Sequence, residues 1–192
     1  MKSYILALFL ATSLPLAHAA SAPHEAFTIN PSASKIAFAL AGNFHHVDGT
    51  FQVQSGTVEF GPAPGAVSGS IVVSAASGNS GDKARDSNMD KKVLQIAKFP
   101  EVTFAPRSYQ GTLAPTGDST IQVSGIFTLH GTPHDLTVPM HIHVAGSSMT
   151  ATGSFNVPYV QWGLKDPSIL FLKVAKVVGI DMTLAGQLTP SH

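Results

Sequence analysis

Cysteine is absent from all 192 residues. That excludes thiol nucleophiles, thiolate metal centres and iron–sulfur clusters. It also excludes disulfides, so the fold must stand on its apolar core, which a chain of this length can build. Charge is scarce too. Eleven Lys and Arg balance eleven Asp and Glu, and charged residues are only 11% of the chain. A neutral, weakly charged chain carries no footprint for nucleic acid or an anionic membrane, and its natural partner is uncharged or nearly so. No apolar run approaches the roughly 20 residues of a membrane-spanning helix. There is no Gly-x-Ser-x-Gly elbow and no pair of acids whose surroundings would separate their roles. The segment Gly78–Asp86 lacks the lysine of a phosphate loop. No catalytic residue and no metal ligand set is assigned, and a non-enzyme is expected.

What is present begins with a targeting pattern. Lys2 supplies a positive start, Ile5 to Leu16 an apolar stretch, and Ala17-His18-Ala19 a small-x-small cleavage site. Cleavage after Ala19 is expected, making residues 1–19 a signal peptide and 20–192 one domain, periplasmic or secreted. With no cysteine after the cut, a covalent lipid anchor is excluded.

Most of the mature chain alternates with period two, the signature of half-buried strands. Ser21 to Ala26 reads as irregular, followed by Phe27-Thr28-Ile29 and the Asn30-Pro31-Ser32 turn. Lys35 to Leu40 places Ile36, Phe38 and Leu40 on one face. Val47 to Phe60 reads as two strands around Ser55-Gly56, with Phe51 and Val53, then Val58 and Phe60, facing inward. Val67 to Ala75 keeps Val67, Ile71, Val73 and Ala75 in phase, and Val102-Thr103-Phe104 continues to Tyr109. The clearest hairpin, Thr120 to Val144, has Ile121, Val123, Phe127 and Leu129 facing Leu136, Val138, Met140, Ile142 and Val144. Its turn is placed at Gly131-Thr132-Pro133-His134. Met149 to Val157 and Val178 to Leu184 close the series, leaving Gly186 to His192 as a tail. Eight or nine strands with short turns fit an antiparallel up-and-down barrel or a sandwich. An eight-stranded interior is either filled by its own side chains or holds one slim ligand, and the pattern alone does not separate the two.

One stretch breaks the strand rhythm. Ser80 to Ala97 carries an N-cap at Asp82, Asp86 near the helix start, and Met89, Val93, Leu94 and Ala97 on one apolar stripe. Phe99-Pro100 stops it. A helical segment with one greasy face, set between strands, is expected to lie as a lid over the open end of the β-structure. Asp166-Pro167-Ser168 resembles a second helix start, running to about Val174.

Taken together, INPSASKIAF, VDGTF, SGNSGDKARD…KFPEVTF and VSGIFTLHGTPHDLTVPM resemble, in that order, the motifs of the YceI-like family of lipocalin-like periplasmic polyisoprenoid-binding proteins. The likeness spans Phe27 to Leu188. The segment YVQWGLKDPSILFLKVAKVV departs from the common family pattern and suggests a divergent subgroup with an added segment over 165–175. The resemblance implies an extended eight-stranded antiparallel up-and-down barrel whose apolar channel takes an isoprenoid chain, such as the tail of a quinone, and it brings no catalytic residue. A polyisoprenoid or quinone is then the expected bound group. A hydrophobic small-molecule lipid is the expected partner, with a homodimer left open. The candidate lining is Phe38 and Leu40, Phe51 and Val53, Ile71 and Val73, Met89 and Leu94 of the lid, Phe104, Phe127 and Leu129, Val138 and Met140, Phe155, and Trp162.

Other readings compete. His45-His46, the pair His141 and His143, and His130 with His134 are candidates for a metal- or haem-associated redox accessory. Strand parity, however, puts His141 and His143 on the exterior as solvated residues, and His130 reads as a structural hydrogen-bonding residue at the turn. Arg85 and Asp86 either hold a ligand head group or anchor the lid. Trp162 and Tyr159 either rim the opening or close an end of the core. A stress or secretion factor without a ligand is the third reading.

Overall fold

The computed structural model describes residues 24–43, 46–168 and 173–191. The predicted signal peptide and His45 lie outside the described residues. Among the described residues alternating apolar residues build nine strands: β1 His24–Ile29, β2 Lys35–Ala41, β3 His46–Phe60, β4 Val67–Asn79, β5 Glu101–Gly111, β6 Gly117–Leu129, β7 Thr132–Ala145, β8 Ser148–Val157 and β9 Val178–Ser191. All pairings are antiparallel and the sheet closes on itself, since β3 pairs with β4 at one seam and β9 with β1 and β2 at the other. β1 pairs with the far halves of β3 and β9, and β2 with their near halves. These two strands therefore make up a single stave, and nine strands form an eight-stranded lipocalin-like barrel. Between them the chain loops out through a 3₁₀ turn, Pro31–Ala33, capped by the Asn30 side chain, which accepts from the Ser32 N–H at 3.1 Å.

Several local expectations need correction. Residues 47–60 form one strand, not two. Its inward set shifts parity after Val53 because a β-bulge inserts an extra residue between Val53 and Ser55 against β4. The hairpin turn is tighter than expected and falls on His130-Gly131, both with positive φ (53° and 73°), the two-residue geometry whose twist matches a hairpin. The ends of the domain are strand rather than irregular piece and tail. His24–Ile29 pairs with Gly186–Ser191 residue for residue, a contact between distant segments that local composition does not reveal.

The lid forms where expected but not as one regular helix. The Asp82 carboxylate accepts from the N–H groups of Ala84 (2.8 Å) and Arg85 (3.0 Å), starting α1, Lys83–Asn88. From Met89 to Leu94 the turn widens to π-helix, and Gln95 in the left-handed region (φ 50°) ends it. The expected helix over 166–174 falls partly on 169–172, outside the described residues. At its flanks, the Asp166 carboxylate accepts from the Ser168 N–H at 2.8 Å, and Val174 bridges to Gly42.

The core divides along the barrel axis. At the end bearing the β3–β4, β5–β6 and β7–β8 connections, Phe27, Ile29, Val58, Val67, Ile121, Ile142, Val144, Met149 and Leu184 form a dense plug. At the other end, under the lid, a smaller cluster joins Val93, Leu129, Val157, Tyr159 and Leu164. Between plug and lid the barrel is hollow.

Candidate ligand-binding cavity

The hollow has a volume of about 520 Å³, within the ordinary range for small-molecule sites. Inward residues of β2 to β9 supply its wall, the plug its floor, and the lid together with the described residues of the β8–β9 link its roof. Of the residues singled out in the sequence, Phe38, Leu40, Phe51, Ile71, Val73, Met89, Leu94, Phe104, Phe127, Leu129, Val138 and Phe155 are brought together on its surface. Three are not. Val53 and Met140 point inward but are buried within the packed plug (4% and 5% exposed). Trp162 stands outside the cavity, its indole stacked on the His134 ring at 3.9 Å and 8° and set against Phe127 at 5.9 Å, so it closes the end of the core.

Aromatic rings line the wall without filling the lumen, and the neighbouring strands show why. Phe38 lies directly across from Gly49, and a Cβ on Gly49 would overlap its ring. A Cβ on Gly78 would meet the Phe51 ring at 2.8 Å, and one on Gly125 the Phe104 ring at 2.9 Å. Each bare glycine leaves a shallow recess in which a ring lies flat along the wall. Rings then pair sideways, Phe38 with Phe51 (5.3 Å) and Phe127 with Phe155 (5.7 Å), instead of meeting across the axis. Gly49 and Gly125 are the glycines of the VDGTF and VSGIF stretches.

Sequence reasoning picked out Arg85, Tyr159 and the lid, but missed Ser80 and Asn88 in the polar corner and Leu164, Pro167 and Val174 in the roof. Ser80, Arg85 and Asn88 share the lid side of the cavity, and Tyr159, Leu164, Pro167 and Val174 join from the link. Arg85 donates from Nε to Ser80 Oγ and from Nη2 to the Ser80 carbonyl, both at 2.8 Å. Asp86 accepts from the Ser80 N–H and hydroxyl. The pair thus anchors the lid through one serine. A guanidinium has five N–H donors, so three of Arg85's remain beyond those bonds. Asp82 is held below the usual carboxylate range by the backbone N–H groups of Arg85 and Ala84. Asp90 in the π turn is pushed up by burial and by the nearby Asp86 charge, and its Oδ1 is buried without a partner. Tyr159 donates to the Ala175 carbonyl at 2.9 Å, fastening the two ends of the link. Its phenol is pushed up to about 12, first by burial and then by Asp166. No sequence period marks any of these groups, because they converge from irregular chain.

The histidines separate by location. Among the described residues His130 finds no side-chain hydrogen-bond partner, contrary to expectation. Its ring packs on Phe99 at 4.1 Å, and its Nε2, like that of His134, is buried without a partner. The lid's end is thereby clamped to the hairpin tip, Phe99 lying over Gly131 as well. His141 and His143 are exterior. Among the described residues no three His, Asp or Glu side chains converge as a metal-binding group.

A family model described as the YceI-like domain matches residues 27–186. The chain belongs to the YceI-like family. A UPF0312 protein of Pseudomonas syringae pv. tomato is 26% identical to it, over 97% of each chain. Solved structures share the family barrel. Burkholderia cenocepacia BcnA superposes with a TM-score of 0.68 at 23% identity, over 82% of this chain and 99% of BcnA. A polyisoprenoid binding domain from Saccharophagus degradans, implicated in plant cell wall breakdown, gives 0.64 at 15% identity, over 85% of this YceI-like chain and 98% of that domain. At these identities the likeness establishes the fold. Among the described residues no helix is long and apolar enough to cross a membrane.

Proposed function

We propose that this YceI-like protein is a non-enzymatic periplasmic binding or carrier protein that holds a single hydrophobic lipid, an isoprenoid or quinone-like molecule, in the hollow half of its barrel. The reading is carried by one observation: a cavity of about 520 Å³ whose wall is almost wholly apolar. A methylene moved from water into such a wall contributes about 0.8 kcal/mol, so a tail of modest length suffices for firm binding. The Saccharophagus polyisoprenoid binding domain, sharing the fold, supports this ligand class. The Ser80, Arg85 and Asn88 corner suits a head group that accepts hydrogen bonds, as a quinone carbonyl does. The apparent signal sequence at residues 1–19 supports export.

The test is mass spectrometry of organic extracts of the protein purified from its native periplasm without detergent. A prenyl or quinone species near one per chain is expected, and Val73→Trp, which fills the cavity from β4, should lose it while the barrel still melts cooperatively. An extract without lipid, or one unchanged by Val73→Trp, would overturn the proposal.

A further inference from the structure

The outer face of the β6–β7 hairpin carries an arrangement with no part in the cavity. His141 and His143 lie two residues apart on β7, hence on one face, with Cα atoms about 6.8 Å apart at the rise of an extended strand. Both are exposed, His143 by 57%. Directly across on β6 stand Thr120, opposite His141, and Asp118, opposite His143. Each imidazole is gripped by the same ring atom. His143 Nδ1 lies 2.8 Å from Asp118 Oδ1, and His141 Nδ1 lies 3.1 Å from Thr120 Oγ1.

These contacts decide where the lone pairs point. An ionised carboxylate only accepts, so the neutral His143 ring keeps its proton on Nδ1 and presents the Nε2 lone pair outward. The Thr120 hydroxyl can accept from His141 Nδ1 with the same result. A carboxylate or hydroxyl behind the non-ligating nitrogen is the outer shell that orients and strengthens a metal-bound histidine. On the other side, β8 sets the uncharged Thr150 and Thr152 opposite the pair.

We propose that His141 and His143 form a two-imidazole chelate for a divalent transition metal, with Asp118 and Thr120 as its outer shell. Imidazole donors favour Cu²⁺, Ni²⁺ and Zn²⁺ over Mg²⁺ and Ca²⁺, with Cu²⁺ the tightest. Two histidines at i and i+2 share one strand face, and each would bind at about 2.0–2.1 Å through its ring nitrogen. Because the described residues contain no group of three His, Asp or Glu able to hold a metal, and Asp118 is engaged behind His143, water completes the coordination and the ion exchanges readily. The site lies outside the barrel wall and is independent of whether a lipid fills the lumen.

The test is calorimetric titration of the tag-free protein with Cu²⁺, Ni²⁺ and Ca²⁺, paired with electron paramagnetic resonance of the Cu²⁺ form. One Cu²⁺ per chain at this site, a spectrum split by two imidazole nitrogens, and weaker Ni²⁺ are expected, with no heat from Ca²⁺. The His141→Ala, His143→Ala double variant should lose that ion without a change in melting temperature, since both side chains are exposed. Asp118→Asn, which keeps both ligands, should weaken Cu²⁺ about 10- to 100-fold. Binding that survives in the double variant would place the metal on other histidines and overturn the proposal, as would the absence of Cu²⁺ binding in the wild-type protein.

Discussion

The two halves of the barrel are written in the same alphabet and come out differently. In the plug, Phe27, Ile29, Ile121, Ile142 and Met149 meet across the axis and exclude space. Under the lid, Phe38, Phe51, Phe104 and Phe127 face the same axis and leave a chamber. Size does not distinguish them, since the hollow half carries the larger side chains. Glycine neighbours do not distinguish them either, since Gly49, Gly78 and Gly125 lie beside rings of the hollow half while Gly186 and Gly56 lie beside Phe27 and Ile29 of the plug. What differs is how the strands are joined. Those of the hollow half run into long connections, the lid and the β8–β9 link, and β4 pairs with β5 only from Ile71 to Ser74. Inward orientation is thus a property of strand parity, whereas occupancy of the interior follows from how the strands are connected and capped at each end.

Matched substitutions measure this difference. Ile121→Ala, in the plug, should cost about 2–5 kcal/mol, the range for truncating a tightly packed aliphatic residue. Ile180→Ala, the same chemical change on the cavity wall, should cost distinctly less, because part of Ile180 already faces empty volume. Urea midpoints at constant slope would report both, and equal losses would mean the halves are equally packed. Gly49→Ala comes next, at about 1–3 kcal/mol for overpacking. Its methyl displaces the Phe38 ring toward the lumen, so loss of extractable lipid should accompany the destabilisation.

Tyr159→Phe removes one hydrogen bond at the roof and should cost about 0.5–1.5 kcal/mol. The phenol's pKa is raised in the folded state to about 12, above the usual value near 10. Its contribution is therefore fully present below about pH 10 and is lost as pH rises through about 12. Melting curves across that window should fall more steeply for the wild-type protein than for the variant. The smallest effect is expected at Asp90, whose carboxyl is raised by burial and by Asp86. Its ionised form burdens the lid at neutral pH, so Asp90→Asn should melt slightly higher there. The gain should vanish as pH falls through the carboxylate range, where the wild-type group is also neutral.

Much of the barrel was legible because strand parity is local. The inward sets of β2, β4, β6, β7 and β9 follow from counting by twos, and of the fourteen residues picked out on that basis or for the lid all but Val53 and Met140 stand on the cavity surface. The bulge after Val53 was visible as a change of parity but was mistaken for a turn, since a turn and an extra residue shift the pattern alike. The start of β1 and the end of β9 were invisible, because their pairing joins distant segments of the chain. The partners of Arg85 and Tyr159 escaped for a related reason. Arg85 and Ser80 are joined by the geometry of a capped turn, and Tyr159 reaches Ala175 across residues with no regular period. The placement of rings against glycines lay in the sequence as VDGTF and VSGIF, yet its meaning required the register that sets Phe38 opposite Gly49.

The stave shared by β1 and β2 has a consequence in time. Both pair with β9, the last strand of the chain, so the seam joins the two ends of the fold and is among its longest-range contacts. Pairings of that separation form late, after the entropy of closing a long loop has been met. Until β9 seats there is a curled ribbon and no vessel. Any guest is either trapped at the instant of sealing or admitted afterwards past the roof, and a brief refolding experiment with lipid added before or after the final phase would tell which clock the protein keeps.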